Sequence, residues 1–227
     1  MKKFDYDKKD LEILFFIGEF GRTYTEVIGK TFYKSTQSAR NRIVRMKKRK
    51  LVKYVLTGLS KPKYSIVLPK QVKDLLVSIN KDFKPKVHSG SISQYNHHLH
   101  EQIAFFHLSK LGDVVRTSVW HHKNVYFAVP DLVLGLKTMN IAIEIEMTQK
   151  NSNSYKSYIN RASKDLHETG NINRFLFVTP SKSLMITIAN SMGTWERLQF
   201  IDIDTLIKNI EEFGKIKPFT QKELLKD

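Results

Sequence analysis

Hydrophobic positions in the first fifty residues recur at the spacing of amphipathic helices. The stretch DLEILFFIGEFG predicts a first helix that ends at Gly21. TYTEVIGKTF predicts a second, short helix, with Thr23 as its cap and Glu26 three residues later. STQSARNRIVRMKKRK predicts a third helix, capped by Ser35 or Thr36.

The third predicted helix has an apolar face and a basic one. The apolar residues expected to pack inward are Ala39, Ile43 and Met46. The residues turned elsewhere are Arg40, Asn41, Arg45 and Arg49. The next segments, LVKYVL and KYSIVL, alternate like two short strands around a turn that contains Gly58 and Pro62. Three helices followed by a basic hairpin predict a winged helix-turn-helix domain over residues 1–79, with QVKDLLVSIN as a further short helix.

A break in periodicity separates this domain from the rest of the chain. The stretch KDFKPKVHSGSISQYN contains Pro, Gly and Ser, so a linker is predicted over residues 80–95. Helical and strand patterns then alternate over residues 96–227. The predicted elements are helix HHLHEQIAFFHLSKLG, strands DVVRTSVWHH, VYFAV, PDLVLGL and IAIEIEM, helix SNSYKSYINRASKDLHE, strand RFLFVT, helix SLMITIANSM, strand LQFIDI and a polar C-terminal helix. This order predicts an α/β (α+β) domain with a mixed central sheet.

Charge is distributed unevenly along the chain. Residues 1–70 carry 18 Lys and Arg against 6 Asp and Glu, so most of the net charge of +16 lies in the first third. Such a segment favours a polyanionic partner, and the helix pattern makes double-stranded DNA the expected one. The chain has no cysteine and no run of about 18 apolar residues, so we expect a soluble cytoplasmic protein without a membrane partner.

A winged helix-turn-helix reads DNA with its third helix in the major groove. The predicted base readers are the polar residues near the start of that helix, and Arg45 extends its basic face. Lysines in the hairpin are expected to contact phosphates. The predicted DNA-binding residues are Gln37, Ser38, Arg40, Asn41, Arg45, Lys61 and Lys63. A protein-interaction module whose arginines only solvate it is the alternative.

Carboxylates are concentrated in the otherwise oily stretch PDLVLGLKTMNIAIEIEMTQK. Strand side chains alternate between faces, so Glu144 and Glu146 point to one side, away from the isoleucines around them. If the PDLVLGL strand pairs beside this one, Asp131 lies next to them. We therefore expect one face of the strand to be core and the other to be a small acidic surface.

Three crowded carboxylates are unfavourable unless a cation neutralises them, and Mg²⁺ or Mn²⁺ prefers such oxygen ligands. The predicted metal ligands are Asp131, Glu144 and Glu146. A metal there would polarise a phosphoryl oxygen and lower the pKa of a bound water in phosphodiester cleavage. The alternative is that the glutamates are the wet face of an ordinary half-exposed strand.

Pro130-Asp131 followed by Glu144-Ile145-Glu146, behind a helix with Glu101, resembles the PD-(D/E)XK restriction-endonuclease-like superfamily. The resemblance implies that Asp131 and Glu144 hold the metal, that Glu101 joins them, and that a lysine helps to activate water. Here Glu146 takes the place of that lysine. Lys150 is the candidate substitute, four residues further on.

A second resemblance covers nearly the whole chain. The predicted winged helix, a helix with His100 near its start, the PD motif, IEIEMTQK and a tyrosine-bearing helix resemble the replication-relaxation family and related mobilisation relaxases. It implies metal-dependent nicking of plasmid or mobile-element DNA at a transfer or replication origin, with other relaxosome or replication proteins as partners. The alternative without catalysis is a DNA-binding accessory or regulatory protein with a degenerate nuclease fold, or an initiator of plasmid replication.

The stretch His97-His98-Leu99-His100 permits one further interpretation. A histidine-hydrophobic-histidine element is also the metal site of nicking enzymes that attack phosphate with tyrosine, and Tyr155 and Tyr158 would then be nucleophiles. Those histidines lie on a strand, whereas the spacing here is helical. We therefore expect His97 and His98 to be surface residues at a helix start.

Overall fold

Three helices and a hairpin form the N-terminal part of a computed structural model that describes residues 4–86, 94–117, 126–192 and 195–225. The chain divides into two compact units, Met1–Ile103 and Ala104–Asp227. The elements of the first unit are α1 (Lys8–Phe20), α2 (Thr25–Phe32), α3 (Thr36–Lys48), β1 (Lys53–Leu56), β2 (Tyr64–Val67) and α4 (Lys70–Ile79). The strands β1 and β2 pair antiparallel. The predicted order of three helices, a hairpin and a short helix is therefore present.

The ends of these helices follow from their local sequence. Asp7 and Asp10 form a reciprocal capping box at the start of α1, and Gly21 ends the helix with φ at 73°, a conformation that costs glycine little. Ser35 caps α3 by accepting a hydrogen bond from Ser38 N. The three inward residues predicted for α3, Ala39, Ile43 and Met46, are completely buried.

The predicted cap of α2 is wrong. Tyr24, and not Thr23, is the N-cap of α2. The backbone of Thr23 instead pairs with Ile66, its N–H donating over 2.9 Å and its carbonyl accepting over 2.8 Å. Thr23 is thereby held by the hairpin, 43 residues along the chain, and a local capping rule does not include that interaction.

Two arginines of α3 do not belong to its outer face. The fully buried carboxylate of Asp10 lies 2.7 Å from Arg42 Nε and 2.7 Å from Arg49 Nη2. Arg42 also binds Asp7. The expectation that Arg49 belongs to the basic outer face of the third helix is therefore wrong, because the guanidinium of this C-cap residue binds Asp10 of α1.

Residues 80–86, in the first part of the predicted linker, pack on α1. The ring of Phe83 meets Phe15 edge to face at 4.9 Å. It also lies 2.8 Å from where a Cβ would stand on Gly18, so this glycine allows the close approach. Lys86 N donates to Gly18 O over 2.8 Å. Residues 87–93 of that linker lie outside the described residues, and α5 (Tyr95–Leu108) follows and runs on into the second unit.

The second unit is a mixed six-stranded sheet with helices. Its elements are β3 (Asp113–Arg116), β4 (Leu132–Gly135), β5 (Asn140–Ile145), α6 (Ser152–Lys164), β6 (Arg174–Thr179), α7 (Lys182–Met192), β7 (Leu198–Asp202), α8 (Ile203–Phe213), β8 (Phe219–Thr220) and α9 (Gln221–Leu224). The strands lie in chain order across the sheet. Pairs β3–β4, β4–β5 and β7–β8 are antiparallel, while β5–β6 and β6–β7 are parallel. The predicted α/β class with a mixed sheet is confirmed.

Both faces of β5 are buried, which corrects the expected acidic surface. Ile143 is fully buried on one face, and Ala142 is 1% exposed on the other. Ala142 belongs to a core that includes Tyr155 and Tyr158 of α6. The face that carries the glutamates is therefore packed against a helix. Alternation assigned the residues to the two faces, but it does not reveal what covers each face.

Three further expectations of the second unit need correction. Residues 126–129, the described part of VYFAV, form an irregular turn, in which Val129 has φ at 45°. The predicted strand DVVRTSVWHH ends as β3 at Arg116, and its residues 118–122 lie outside the described ones. The helix predicted after β5 ends at Lys164 and continues as a π-turn, Asp165–Thr169. Strand β8 and helix α9 were not predicted.

None of the helices in the described parts of the chain combines the length and the apolar character needed to cross a membrane.

Candidate functional site

The antiparallel pair β4–β5 brings Asp131 to Glu144. Leu132 pairs with Ile143, and the same register, continued by one step, sets Asp131 opposite Glu144. Asp131 Oδ2 accepts a hydrogen bond from Ile145 N over 2.8 Å. The residue after Pro130 is therefore fixed against the acidic strand, because the two strands pair side by side.

Both glutamates are largely withdrawn from water. The side chain of Glu144 is 15% exposed and that of Glu146 is 4% exposed. Glu146 lies one residue beyond β5, and its backbone N–H still donates to Val178 O of β6 over 2.9 Å. The alternative that they are the wet face of a half-exposed strand does not fit this burial.

Lys150 is the positive charge of the cluster. Its Nζ lies 2.6 Å from Glu146 Oε2 and 3.7 Å from Glu144 Oε1. Its backbone N–H donates to the hydroxyl of Tyr155 over 2.9 Å, which anchors the lysine against α6. The structure thus brings together Asp131, Glu144, Glu146 and Lys150, a set that we name the acidic cluster.

The acidic cluster has more negative than positive charge, and the proton affinities reflect this. Burial raises the pKa of Glu144 well above its ordinary value, and the charge of Asp131 raises it further. Lys150 opposes the rise without cancelling it. Burial by itself would lower the pKa of Lys150, but the hydrogen bond to Glu146 and the charge of Glu144 raise it overall. Lys150 therefore stays an ammonium at neutral pH.

Three carboxylates are a donor set that suits Mg²⁺ or Mn²⁺ chemically, because both are hard cations that prefer oxygen. The pKa of Glu144 is raised, so an added cation would stabilise the ionised form of this carboxyl. The ligand atoms of these three carboxylates do not all lie within 4.8 Å of one another, and Glu146 Oε2 lies 2.6 Å from Lys150 Nζ. Among the described residues, the trio with all its ligand atoms within 4.8 Å of one another is a different one: His97, His98 and Glu101.

Glu101 belongs to the first unit and to that second group. Its side chain is 3% exposed, and its Oε2 lies 3.3 Å from His98 Nδ1. Neither histidine is a simple surface residue, since both are half-buried. In the sequence, Glu101 follows His97 by four positions and His98 by three. This helical spacing was the signal that could have identified the trio.

Asp165 is a buried residue that the sequence did not single out. Its two carboxylate oxygens accept from Phe127 N and Ala128 N, each over 2.8 Å. Val129 follows with a positive φ that a β-branched residue rarely adopts, and Pro130-Asp131 comes next. The carboxylate thereby fixes the turn that leads into Asp131. An aspartate at a helix end, 34 residues after Asp131, gives no sequence signal for that role.

The tyrosines of α6 do not suit a nucleophilic role. Tyr155 is 1% exposed, and its hydroxyl accepts a hydrogen bond from Lys150 N. Tyr158 is 8% exposed and packs edge to face on Phe175 and Phe177. Burial also raises the pKa of both hydroxyls. Since the histidines also lie on a helix, the tyrosine mechanism is rejected.

The predicted DNA-binding side chains are exposed in the first unit. All five of the α3 set, Gln37, Ser38, Arg40, Asn41 and Arg45, lie on its solvent face. Gln37 Nε2 donates to Asn41 Oδ1 over 3.0 Å, so these two amides form a pair one turn apart. Lys61 and Lys63, in the connection between β1 and β2, are exposed as well.

Comparisons with known proteins add one finding. No protein-family model matches the chain, and no curated protein matches it in sequence. Among solved structures, the chain is similar to the small subunit of the heterodimeric restriction endonuclease R.BspD6I, with 13% identity and a TM-score of 0.37. The similarity covers 69% of this chain and 84% of that subunit.

Proposed function

We propose that the protein is a DNA-binding endonuclease that uses a divalent metal ion to cut one strand of its target. The observation that carries the proposal is the placement of Lys150 Nζ, 2.6 Å from Glu146 and 3.7 Å from Glu144, beside an anchored Asp131. Glu146 stands at the position where the PD-(D/E)XK motif usually has its lysine. Lys150 supplies an ammonium beside these acids instead. Acids and a lysine, brought together where β4 begins and β5 ends, are groups that metal-assisted phosphodiester hydrolysis can use.

Asp131 and Glu144 would hold Mg²⁺ or Mn²⁺, with Glu146 as a further ligand or as the partner of Lys150. When bound, the metal supplies Lewis-acid activation of the phosphate and of the attacking water. Because the pKa of Glu144 is raised, this carboxyl must lose a proton before it binds a cation. Metal affinity should therefore rise as the pH rises through the raised pKa of Glu144.

The role of Lys150 follows from its protonation. Its raised pKa keeps the ammonium charged at neutral pH, so it is unsuited to accept a proton from water. A fixed ammonium stabilises the negative charge that develops on the phosphate in the transition state. The hydrogen bond from its backbone N–H to Tyr155 holds the lysine in that position.

The first unit would deliver the DNA. Its exposed α3 residues would face the major groove if the unit docks on DNA as a winged helix-turn-helix does. If about six phosphates are contacted, log affinity should fall against log salt with a slope of about −5. Replacing Arg45 or Lys63 by alanine should reduce the slope by about 1 if that side chain contacts a phosphate. Lys81, which is exposed beyond α4, is the matched control, and an unchanged slope for Arg45→Ala and Lys63→Ala together would contradict the assignment.

The direct test is conversion of a supercoiled plasmid, carrying the DNA that flanks this protein's own locus, to open circles. We expect nicking in Mg²⁺ or Mn²⁺, no nicking in EDTA, and a loss of at least about 100-fold in Asp131→Asn and Glu144→Gln. His98→Ala serves as a control for chelation of a metal elsewhere. Nicking that persists in both carboxylate variants would sink the proposal.

A second candidate, a DNA-binding accessory or regulatory protein without catalysis, is favoured by a specific observation. Lys150 already neutralises part of the acidic cluster through two contacts, so the fold can hold these acids without a metal. This candidate predicts a DNA footprint that survives EDTA and no strand cutting on supercoiled or single-stranded substrates.

The finer form of the proposal rests on the resemblance to replication-relaxation proteins and mobilisation relaxases. It makes the target a transfer or replication origin of plasmid or mobile-element DNA, with relaxosome or replication proteins as partners. In this form, residues 1–79 select the site and residues 96–227 cut it. Glu101 stays a prediction for the cutting site, because it belongs to the first unit.

A further inference from the structure

We propose that His97, His98 and Glu101 form a second metal site, which binds a transition-metal dication of the Zn²⁺ class. One ligand atom from each residue lies within 4.8 Å of the other two. The site belongs to the first unit and shares no residue with the acidic cluster. It can therefore be tested separately from the acidic cluster.

Helical spacing brings the three side chains together. All three residues lie in the first two turns of α5, where Glu101 follows His97 by four positions and His98 by three. Residues at these separations share one face of a helix. The three side chains therefore come together when the first two turns of α5 form, without a contact to residues that are distant along the chain.

The distance between His98 and Glu101 matches metal coordination. His98 Nδ1 lies 3.3 Å from Glu101 Oε2, which is long for a hydrogen bond between them. Two ligands of a tetrahedral zinc ion, each bound at about 2.0 to 2.1 Å, stand about 3.3 to 3.4 Å apart. An ion can therefore be accommodated between these two atoms with little movement of either side chain.

Burial makes a cation favourable at this place. The Glu101 side chain is 3% exposed, so little water would screen its attraction for a bound cation. His98 Nε2 is buried and has no hydrogen-bond partner among the described residues, so no second bond there holds the ring against a small rotation. The side chain of His98 is 22% exposed, which leaves a path for an ion.

The ligand set selects the class of metal. Two imidazoles and one carboxylate suit Zn²⁺ and its neighbours, and three protein ligands leave a fourth position for water. Mg²⁺ prefers a shell of oxygen atoms and would favour the acidic cluster instead. The protein would thus hold two kinds of metal in two kinds of site.

A zinc titration of the full chain tests the proposal, after removal of metals with a chelator and with a chromophoric chelator as competitor. We expect the wild type to bind one Zn²⁺ at this site. His97→Ala and His98→Ala should each weaken it by more than the roughly 10- to 100-fold that loss of an outer partner of a ligand costs. Co²⁺ in the wild type should show the visible absorption of a low-coordinate site, and His98→Ala should lose it.

His100 provides the matched control. It lies on the same helix turn, but its Nδ1 is engaged by Asn96 O at 2.8 Å, so His100→Ala should keep the zinc. Asp131→Asn and Glu144→Gln should also keep it, which separates this site from the acidic cluster. Melting curves of the metal-free variants verify that they fold. The proposal is overturned if the wild type takes up no zinc here, or if folded His97→Ala and His98→Ala bind it as tightly as the wild type.

Discussion

Both units of the molecule bury carboxylates beside basic side chains, but with a different charge balance. In the first unit, the fully buried Asp10 receives two guanidiniums, from Arg42 and Arg49. In the acidic cluster of the second unit, the ammonium of Lys150 lies beside Glu146 and Glu144, and Asp131 adds a third negative charge. Among the described residues, Asp10 thus has two cationic partners, whereas Glu144 and Glu146 share one.

Two acids, one beside each group, have pKa shifts in opposite directions. In the first unit, the hydrogen bond from Arg42 lowers the pKa of the exposed Asp7. In the acidic cluster, burial and then the charge of Asp131 raise the pKa of the buried Glu144. The ionised form of Asp7 is thus stabilised by a partner in the fold, whereas the ionised form of Glu144 would be stabilised by an added cation.

The largest effect is expected at Asp10. Asp10→Asn keeps the shape but removes the charge that both arginines face, and it should lower the free energy of unfolding by about 2 to 4 kcal/mol. Urea unfolding measures the loss. Asp7→Asn is the control, because Asp7 is 57% exposed and its pair with Arg42 is worth less than about 1 kcal/mol. Equal losses in the two variants would show that burial does not distinguish these pairs.

A smaller loss is expected at Lys150. Lys150→Met leaves Glu144 and Glu146 without their ammonium, but the lysine side chain is 48% exposed, and solvent screens part of its charge. We expect a loss of about 1 to 2 kcal/mol at pH 8, and less at pH 5, where Glu144 takes up a proton more readily. A loss that does not depend on pH would mean that packing, and not charge, makes the difference.

The smallest effect has the opposite sign. Glu144 binds its proton more tightly in the folded chain than in the unfolded chain. The protonated carboxyl therefore contributes its full stabilisation below the pKa of the unfolded state. This contribution is lost as the pH rises through the higher pKa of the folded state. Glu144→Gln should therefore stabilise the protein at pH 8 by about 1 kcal/mol, a rise in Tm of about 2 to 4 °C. The gain should disappear below about pH 4, where the wild-type carboxyl is protonated in both states.

Glu212→Gln, at an exposed position of α8, is the matched control for Glu144→Gln and should change little at either pH. Destabilisation of Glu144→Gln at pH 8 would show that the charge of Glu144 is compensated by the fold, as that of Asp10 is.

Local patterns predicted the elements and their faces, because these depend on neighbouring residues. Strand alternation assigned Glu144 and Glu146 to one face, and helical spacing identified the buried face of α3. The register that brings Asp131 beside Glu144 followed from the hairpin between β4 and β5.

What the sequence did not predict depends on contacts that are distant along the chain. The glutamate face is closed by α6, Thr23 is held by Ile66, and the turn before Asp131 is held by Asp165. In each case the partner residue is too distant along the chain for a local periodicity to reveal the contact. The pairing of His98 with Glu101 was local, but an interpretation of the histidines as surface residues overlooked it.

The central proposal is that the acidic cluster has more negative than positive charge and binds a divalent cation. The most direct measurement is the number of Mn²⁺ ions bound per chain, by the loss of the free Mn²⁺ signal in electron paramagnetic resonance, for the wild type, Asp131→Asn and Asp10→Asn. We predict that Asp131→Asn binds one ion fewer than the wild type, while Asp10→Asn, if folded, binds as many. Equal stoichiometry in the wild type and Asp131→Asn would contradict the account, and Lys150 would then be the only cation that these carboxylates require.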